Sequence, residues 1–257
     1  MITTLLQGGL GNQIFQICAA MSLAMENDDE FVFDMSTHLL PNQGRRCNNY
    51  AKNIFRNINF SINLPIQHVY HEPRFAYDKI PYKNNTCLVG YFQSEKYFRK
   101  YSDEAKSTLA PDPASLEYIK NKYGEILKKN TVAVHVRRGD YMKSPKYHPT
   151  ATLGYYNKAM ERFQRDSVFL IFSDDIEWCK TVFKGNAFVF VENNEDYLDL
   201  YLISLCKHAI IANSSFGWWG AWLNNNKNKM IIAPQTWFGS SAQHNTKDLY
   251  CDGWTVI

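Results

Sequence analysis

From Thr131 onward the chain alternates short apolar runs with segments of helical pattern, and this constrains the fold more than any other feature. Strands are expected at 131–137, 168–172, 187–191, 208–212 and 229–233, with helices near 155–165, 176–184, 195–207 and 216–224. Strands separated by helices cannot pair as hairpins; they need right-handed crossovers and build a parallel sheet. The first strand, in TVAVHVRRGDY, sets Val132, Val134 and Val136 in period-two register and then runs into Arg137 and Arg138. A guanidinium left unpaired at a buried strand end is costly. In open α/β sheets ligands sit beyond the carboxyl ends of strands, so a phosphate group is one partner. A salt bridge from either arginine to Asp140 is the structural alternative, and the motif alone favours neither.

Upstream the pattern is looser. Ile2 to Leu6 reads as a strand, Gly8 to Gly11 as a tight turn and Asn12 to Glu26 as a helix. Phe31 to Asp34 is a short second strand, and Met35 to Tyr82 is irregular and rich in Asn and Pro. Leu88 to Phe92 is expected as a strand leading into a helix at Ser94. A helix from Pro111 to Leu127 is capped by Asp112, with Pro113 in its first turn. The domain boundary is placed at Lys128-Lys129-Asn130, giving Rossmann-like halves at 1–128 and 129–257 that face a cleft.

Composition excludes several classes. The 257 residues carry a net charge of +3 and no run of five like charges, which argues against nucleic acid as a partner. No apolar stretch is long enough to span a bilayer, and MITTLL does not resemble a signal peptide, so a cytoplasmic location is expected. The six cysteines lack metal-ligand spacing and read as small core residues. No two aspartates are separated by one residue, so the Asp-x-Asp metal motif of many sugar transferases is missing.

Three loops carry chemistry. Gly8-Gly9-Leu10-Gly11-Asn12-Gln13 follows the opening strand; its glycines let backbone approach a ligand, and the helix behind offers N–H groups to an anion. Its spacing is neither a dinucleotide fingerprint nor a Walker loop, and a plain turn is the alternative. In Ser173-Asp174-Asp175 the carboxylates at a strand end can accept from the N1–H and N2–H of guanine or cap the next helix, the commoner use. In Asn213-Ser214-Ser215-Phe216-Gly217 the serines sit at a helix start, where they hold phosphate oxygens or act as an ordinary cap. Trp218, Trp219 and Trp222 are expected in the core.

Together, GGLGNQIFQ, HVRRGDY and NSSFGWWGAWL resemble the motifs of the α-1,2-fucosyltransferases of glycosyltransferase family 11, in family order at both ends and the centre of the chain. The resemblance implies a GT-B fold, GDP-fucose as donor, a galactose-containing acceptor and transfer to its 2-hydroxyl with inversion. It places Arg137 on the β-phosphate, His135, Asp174 and Asp175 near guanine, and Ser214, Ser215 and the Phe216 backbone around the pyrophosphate. Asn213 and Arg138 join this donor set. Gly9, Gly11 and Asn12 meet the leaving group and acceptor from the other half. Arg137, Asn12 and Asp140 are the catalytic candidates; Glu95 and His148 are further bases by residue type, and Asp140 is expected to orient Arg138. No metal or other cofactor is implied. An acceptor carried on a lipid would bring the protein to the inner membrane face. Gly217 stands where the family pattern has Ser, and Ile14 where it has Met, changes expected to touch no group with a role. Another nucleotide sugar, or a sugar- or nucleotide-binding relative without turnover, is the competing reading.

Overall fold

The computed structural model describes residues 1–34 and 47–257, so the start of the irregular stretch lies outside the described residues. The chain forms two compact units, Met1–Asp112 with His244–Cys251, and Pro113–Gln243 with Asp252–Ile257.

In the first unit, β1 (Ile2–Thr4) leads through the glycine loop into α1 (Leu10–Glu26), which is buried on nearly every side, as a helix in the heart of a core must be. The two-residue strands β2 (Phe33–Asp34) and β3 (Phe60–Ser61) pair in parallel, and Phe31 bridges to Ile2. Strands β4 (His68–His71) and β5 (Thr86–Val89) complete a parallel sheet in the order β1-β5-β4. The helix expected at Ser94 is instead a 3-10 turn, Glu95–Tyr97, with the Ser94 hydroxyl accepting from Lys96 N–H at 3.3 Å. A short helix α2 (Ser102–Thr108) follows.

The second unit begins with α3 (Pro113–Leu127), which the sequence places in the first half. It packs on α6 (Asp196–Leu205), and the hydroxyl of its Tyr123 accepts from Asn194 at 2.9 Å, which ties it to the chain that follows. The strands are β6 (Thr131–Val136), β7 (Val168–Ser173), β8 (Phe188–Phe190), β9 (His208–Ile210), β10 (Ile231–Ala233) and β11 (Thr255–Val256). The helices α4 (Leu153–Met160), α5 (Ile176–Val182), α6 and α7 (Ser215–Trp222) intervene. The six strands are parallel in the order β11-β10-β9-β6-β7-β8. From β6 the chain moves outward through β7 and β8, then returns to the other flank of β6 with β9. Between the carboxyl ends of β6 and β9 the direction of winding reverses, and that opening is where such sheets bind ligands.

Every residue of β6 is buried, as a central strand covered on both faces requires. Val132, Val134 and Val136 pack with Tyr156 of α4 and with Cys179 and Phe183 at α5. On the alternate face His135 meets α7, whose Trp218 and Trp219 are fully buried, as expected of core residues. A Cβ at Gly220 would fall 2.5 Å from Cγ2 and 2.8 Å from Cβ of Ile203, so α6 and α7 meet closely there. Gly220→Ala is expected to destabilise the protein by about 1–3 kcal/mol, the usual cost of overpacking. Urea unfolding checks this, and an unchanged midpoint would mean that Ile203 yields freely.

Candidate active site

The loop after β6 carries both arginines, and the two form separate ion pairs. Arg137 Nη2 donates to Asp140 Oδ1 at 2.6 Å, while its Nη1 lies 3.0 Å from Asp174 Oδ2. Arg138 Nε donates to Asp175 Oδ2 at 3.0 Å, and its guanidinium lies 3.7 Å from the centre of the Trp178 ring. Asp140 therefore partners Arg137, not Arg138 as the sequence suggests. The reason is the backbone at Gly139. A Cβ there would sit 2.5 Å from Asp174 Oδ2, so glycine lets the loop pass directly beside the Asp174 carboxylate as it now stands. Asp174 Oδ1 then accepts from the Arg138 backbone N–H at 2.9 Å, which directs the Arg138 side chain toward α5.

Asp175 is also the cap of α5, its Oδ1 accepting from Trp178 N–H at 3.3 Å. Three of the four oxygens of the Asp174-Asp175 pair thus accept a hydrogen bond from the protein, and the fourth, Asp174 Oδ2, is ion-paired with Arg137. Each carboxylate oxygen has a second lone pair, and both residues remain partly exposed, so a ligand donor can still be accommodated. Arg137 likewise has N–H groups beyond the two that meet carboxylates.

Across the opening, β9 is followed by Ala212, Asn213 and Ser214, which lead into α7. Ser214 caps α7, its hydroxyl accepting from Phe216 N–H at 3.4 Å. The first turn of such a helix directs N–H groups outward, an arrangement that favours anions. Ser215 and Phe216, at that turn, are partly exposed. Asn213 faces inward: its Nδ2 donates to the carbonyls of Pro149 and Trp237, both at 2.9 Å, so the amide fastens the surrounding loops.

His135 is buried at the penultimate position of β6, its ring 5.5 Å from that of Phe216. Burial, with Arg137 as a second cause, holds its pKa down at about 3, so the imidazole is neutral. Its Nδ1 is buried without a hydrogen-bond partner. A Cβ at Gly217 would lie 2.6 Å from that nitrogen. The expectation that Gly217 touches no group of interest is therefore corrected: the missing side chain makes the space that His135 fills.

Gly9, Gly11 and Asn12 belong to the first unit. Gly9 is the N-cap of α1, with extended backbone and open space around a Cβ, and Gly11 lies within the helix. The residue that requires glycine is Gly8, at φ +78° and packed against the Asn12 side chain. Asn12 Oδ1 accepts from Gln93 Nε2 at 2.8 Å. Two buried glutamines, to which the sequence assigns no role, hold the loop: Gln13 Nε2 donates to the Gly8 carbonyl at 2.9 Å, and Gln16 bonds to Gln7 and Gly90. Polar residues on an otherwise apolar helix were the available signal. Among the described residues no three His, Cys, Asp or Glu side chains gather as a metal site would need, and no helix is long and apolar enough to cross a membrane.

The fold matches that of the α-1,6-fucosyltransferase NodZ from Bradyrhizobium, solved with GDP-fucose soaked in. The TM-score is 0.55 at 14% identity, over 86% of this chain and 92% of that one. The protein is thus a GT-B-like α/β protein built on parallel sheets. Its sequence places it more narrowly. It belongs to glycosyl transferase family 11, whose model matches residues 1–257, and is accordingly a glycosyltransferase. It is 31% identical to the O-antigen biosynthesis glycosyltransferase WbnK of Escherichia coli, over 97% of this chain and 98% of that one. It is 32% identical to an α-1,2-colitosyltransferase of Escherichia coli, over 91% of each. Over 36% of this chain and 28% of the other it is 38% identical to the galactoside 2-α-L-fucosyltransferase Sec1 of Mus musculus.

Proposed function

We propose that the protein transfers L-fucose from GDP-fucose to the 2-hydroxyl of a β-galactoside, with inversion at the anomeric carbon and without a metal. The observation that carries this reading is the placement of Arg137 directly after β6 and of the α7 N-terminus after the neighbouring strand β9, at the carboxyl side of the same parallel sheet. When the bond between the fucose anomeric carbon and the β-phosphate oxygen breaks, negative charge grows on the departing GDP and the sugar takes oxocarbenium character. A fixed guanidinium and a helix start aimed at that charge stabilise the transition state more than the ground state. Ser214, Ser215 and the backbone of the first turn at Phe216 hold the diphosphate, the weak 3.4 Å bond from the Phe216 N–H to the Ser214 hydroxyl giving way to it; neutral His135, with Asp174 and Asp175, sits toward the guanine. Asp140 serves as counter-ion to Arg137, and Arg138 braces the loop through Asp175 and Trp178. Asn12 meets the leaving group or acceptor.

The lack of Asp-x-Asp supports the metal-free part, since the cation in Arg137 can take over the charge a divalent ion would carry. The WbnK relative supports an O-antigen glycan as acceptor; an acceptor carried on a lipid would bring the protein to the inner membrane face. A second donor is favoured by one observation: the colitosyltransferase relative aligns along nearly the whole chain, whereas the mouse fucosyltransferase aligns over about a third of it.

A donor panel of GDP-fucose, GDP-colitose and UDP-galactose against β-galactosides, with the product linkage read by NMR, tests the proposal. GDP-fucose is expected to be the preferred donor, with an α-1,2 product and full activity in EDTA. Preference for GDP-colitose would replace the donor, and loss of activity in EDTA restored by Mg²⁺ would refute the metal-free part.

A further inference from the structure

Tyr141 has no role in the scheme above, yet it touches both halves of the phosphate-binding arrangement. The Arg137 guanidinium carbon lies 5.3 Å from the centre of its ring, within cation–π range. The Tyr141 hydroxyl donates to the backbone carbonyl of Asn213 at 2.9 Å, one residue before the cap of α7. The same ring stacks on His148, with centres 4.6 Å apart and planes 15° from parallel. Asn213 answers by donating to the Pro149 carbonyl, so the loop after β6 is fastened twice to the end of β9. Burial raises the phenol pKa to about 12, so it is a constant donor at neutral pH.

We propose that Tyr141 is a positioning residue for transfer, a strut that sets Arg137 and the α7 N-terminus at a fixed separation so that both address one diphosphate. This rests on the reading of Arg137 as the diphosphate clamp. Asp140 and Asp174 grip the guanidinium through its terminal nitrogens but reach neither β9 nor α7. Of Asp140, Asp174 and Tyr141, it is Tyr141 that reaches across to Asn213, in the link between β9 and α7.

The test is a cycle of variants on the intact protein. Tyr141→Phe keeps the ring beside Arg137 and removes the tie to Asn213; Tyr141→Leu removes both. With GDP-fucose, kcat is expected to fall about 5-fold in Tyr141→Phe, the scale of one lost hydrogen bond. In Tyr141→Leu a fall of about 30-fold is expected, as the cation–π contact is lost as well. In an Arg137→Ala background Tyr141→Leu should cost less than about 2-fold more, because the strut then has nothing to position. A tyrosine serving only the fold would give the same fold-loss in both backgrounds, and that result overturns the proposal. If Tyr141→Leu does not fold, Tyr141→Phe decides, and a wild-type kcat there removes the strut. Wild-type protein inactive on GDP-fucose would sink the donor reading instead. The same cycle is then read on GDP affinity by calorimetry, with Tyr141→Leu weakening binding only where Arg137 is present.

Discussion

Replacing Arg137 with Ala is expected to lower kcat by at least ~100-fold, the scale of losing one charged donor to a transition state. Stability should change little. The side chain is 34% exposed and its partner Asp140 is 64% exposed, and ion pairs at such positions are typically worth ~0–1 kcal/mol. In a protein of this size that corresponds to a melting temperature lowered by no more than about 4 °C. Asp174 keeps the Arg138 backbone N–H as a partner after the change, so no carboxylate is stranded. Arg137→Lys is expected to recover little, because one ammonium cannot meet Asp140, Asp174 and a diphosphate from a planar fork. Measuring melting temperature and kcat on the same preparation separates the roles. A variant that melts early yet turns over at the wild-type rate would make Arg137 a structural salt bridge.

The second large effect is expected at the glycine loop, and at one glycine only. Gly8→Ala puts a side chain at φ +78°, a conformation costing L-residues roughly 1–2 kcal/mol, and drives its Cβ into the Asn12 amide. Asn12 then leaves Gln93, and on the proposed role of Asn12 kcat is expected to fall at least ~10-fold, the scale of misplacing a group that acts in the reaction. Gly9→Ala is the control: its backbone is extended, a Cβ meets nothing within 4 Å, and activity should stay near wild type. Equal losses in both variants would mean that the loop tolerates no side chain at all, for reasons other than backbone strain and Asn12.

The contrast between Gly8 and Gly9 shows where sequence reasoning stops. Three glycines in four residues announce a tight turn, but which one carries the positive φ depends on how α1 starts, and Gly9 takes the cap. The second unit was legible almost strand by strand, because buried parallel strands are continuous apolar runs and each is followed by a helix. The strand β11 escaped: two residues are too short to show a period. So did β4, whose HVYH is largely exposed and lacks the apolar alternation of a half-buried strand. At the site, the residue types were readable and their pairing was not. Asp140 could serve either arginine by spacing, and the choice follows from the path of the loop past Asp174, which Gly139 permits.

The segment His244–Cys251 returns to the first unit before Asp252–Ile257 rejoins the second. Its Asp248 accepts from Lys96 at 2.6 Å and from the Tyr77 backbone N–H at 3.0 Å. Anyone recombining this protein with a relative, to exchange one compact unit and keep the other, therefore faces three junctions and not one. A single cut near residue 112 would pair a foreign Asp248 with the native Lys96. The modular exchange unit is a discontinuous one, and the eight residues of 244–251 travel with the N-terminal half.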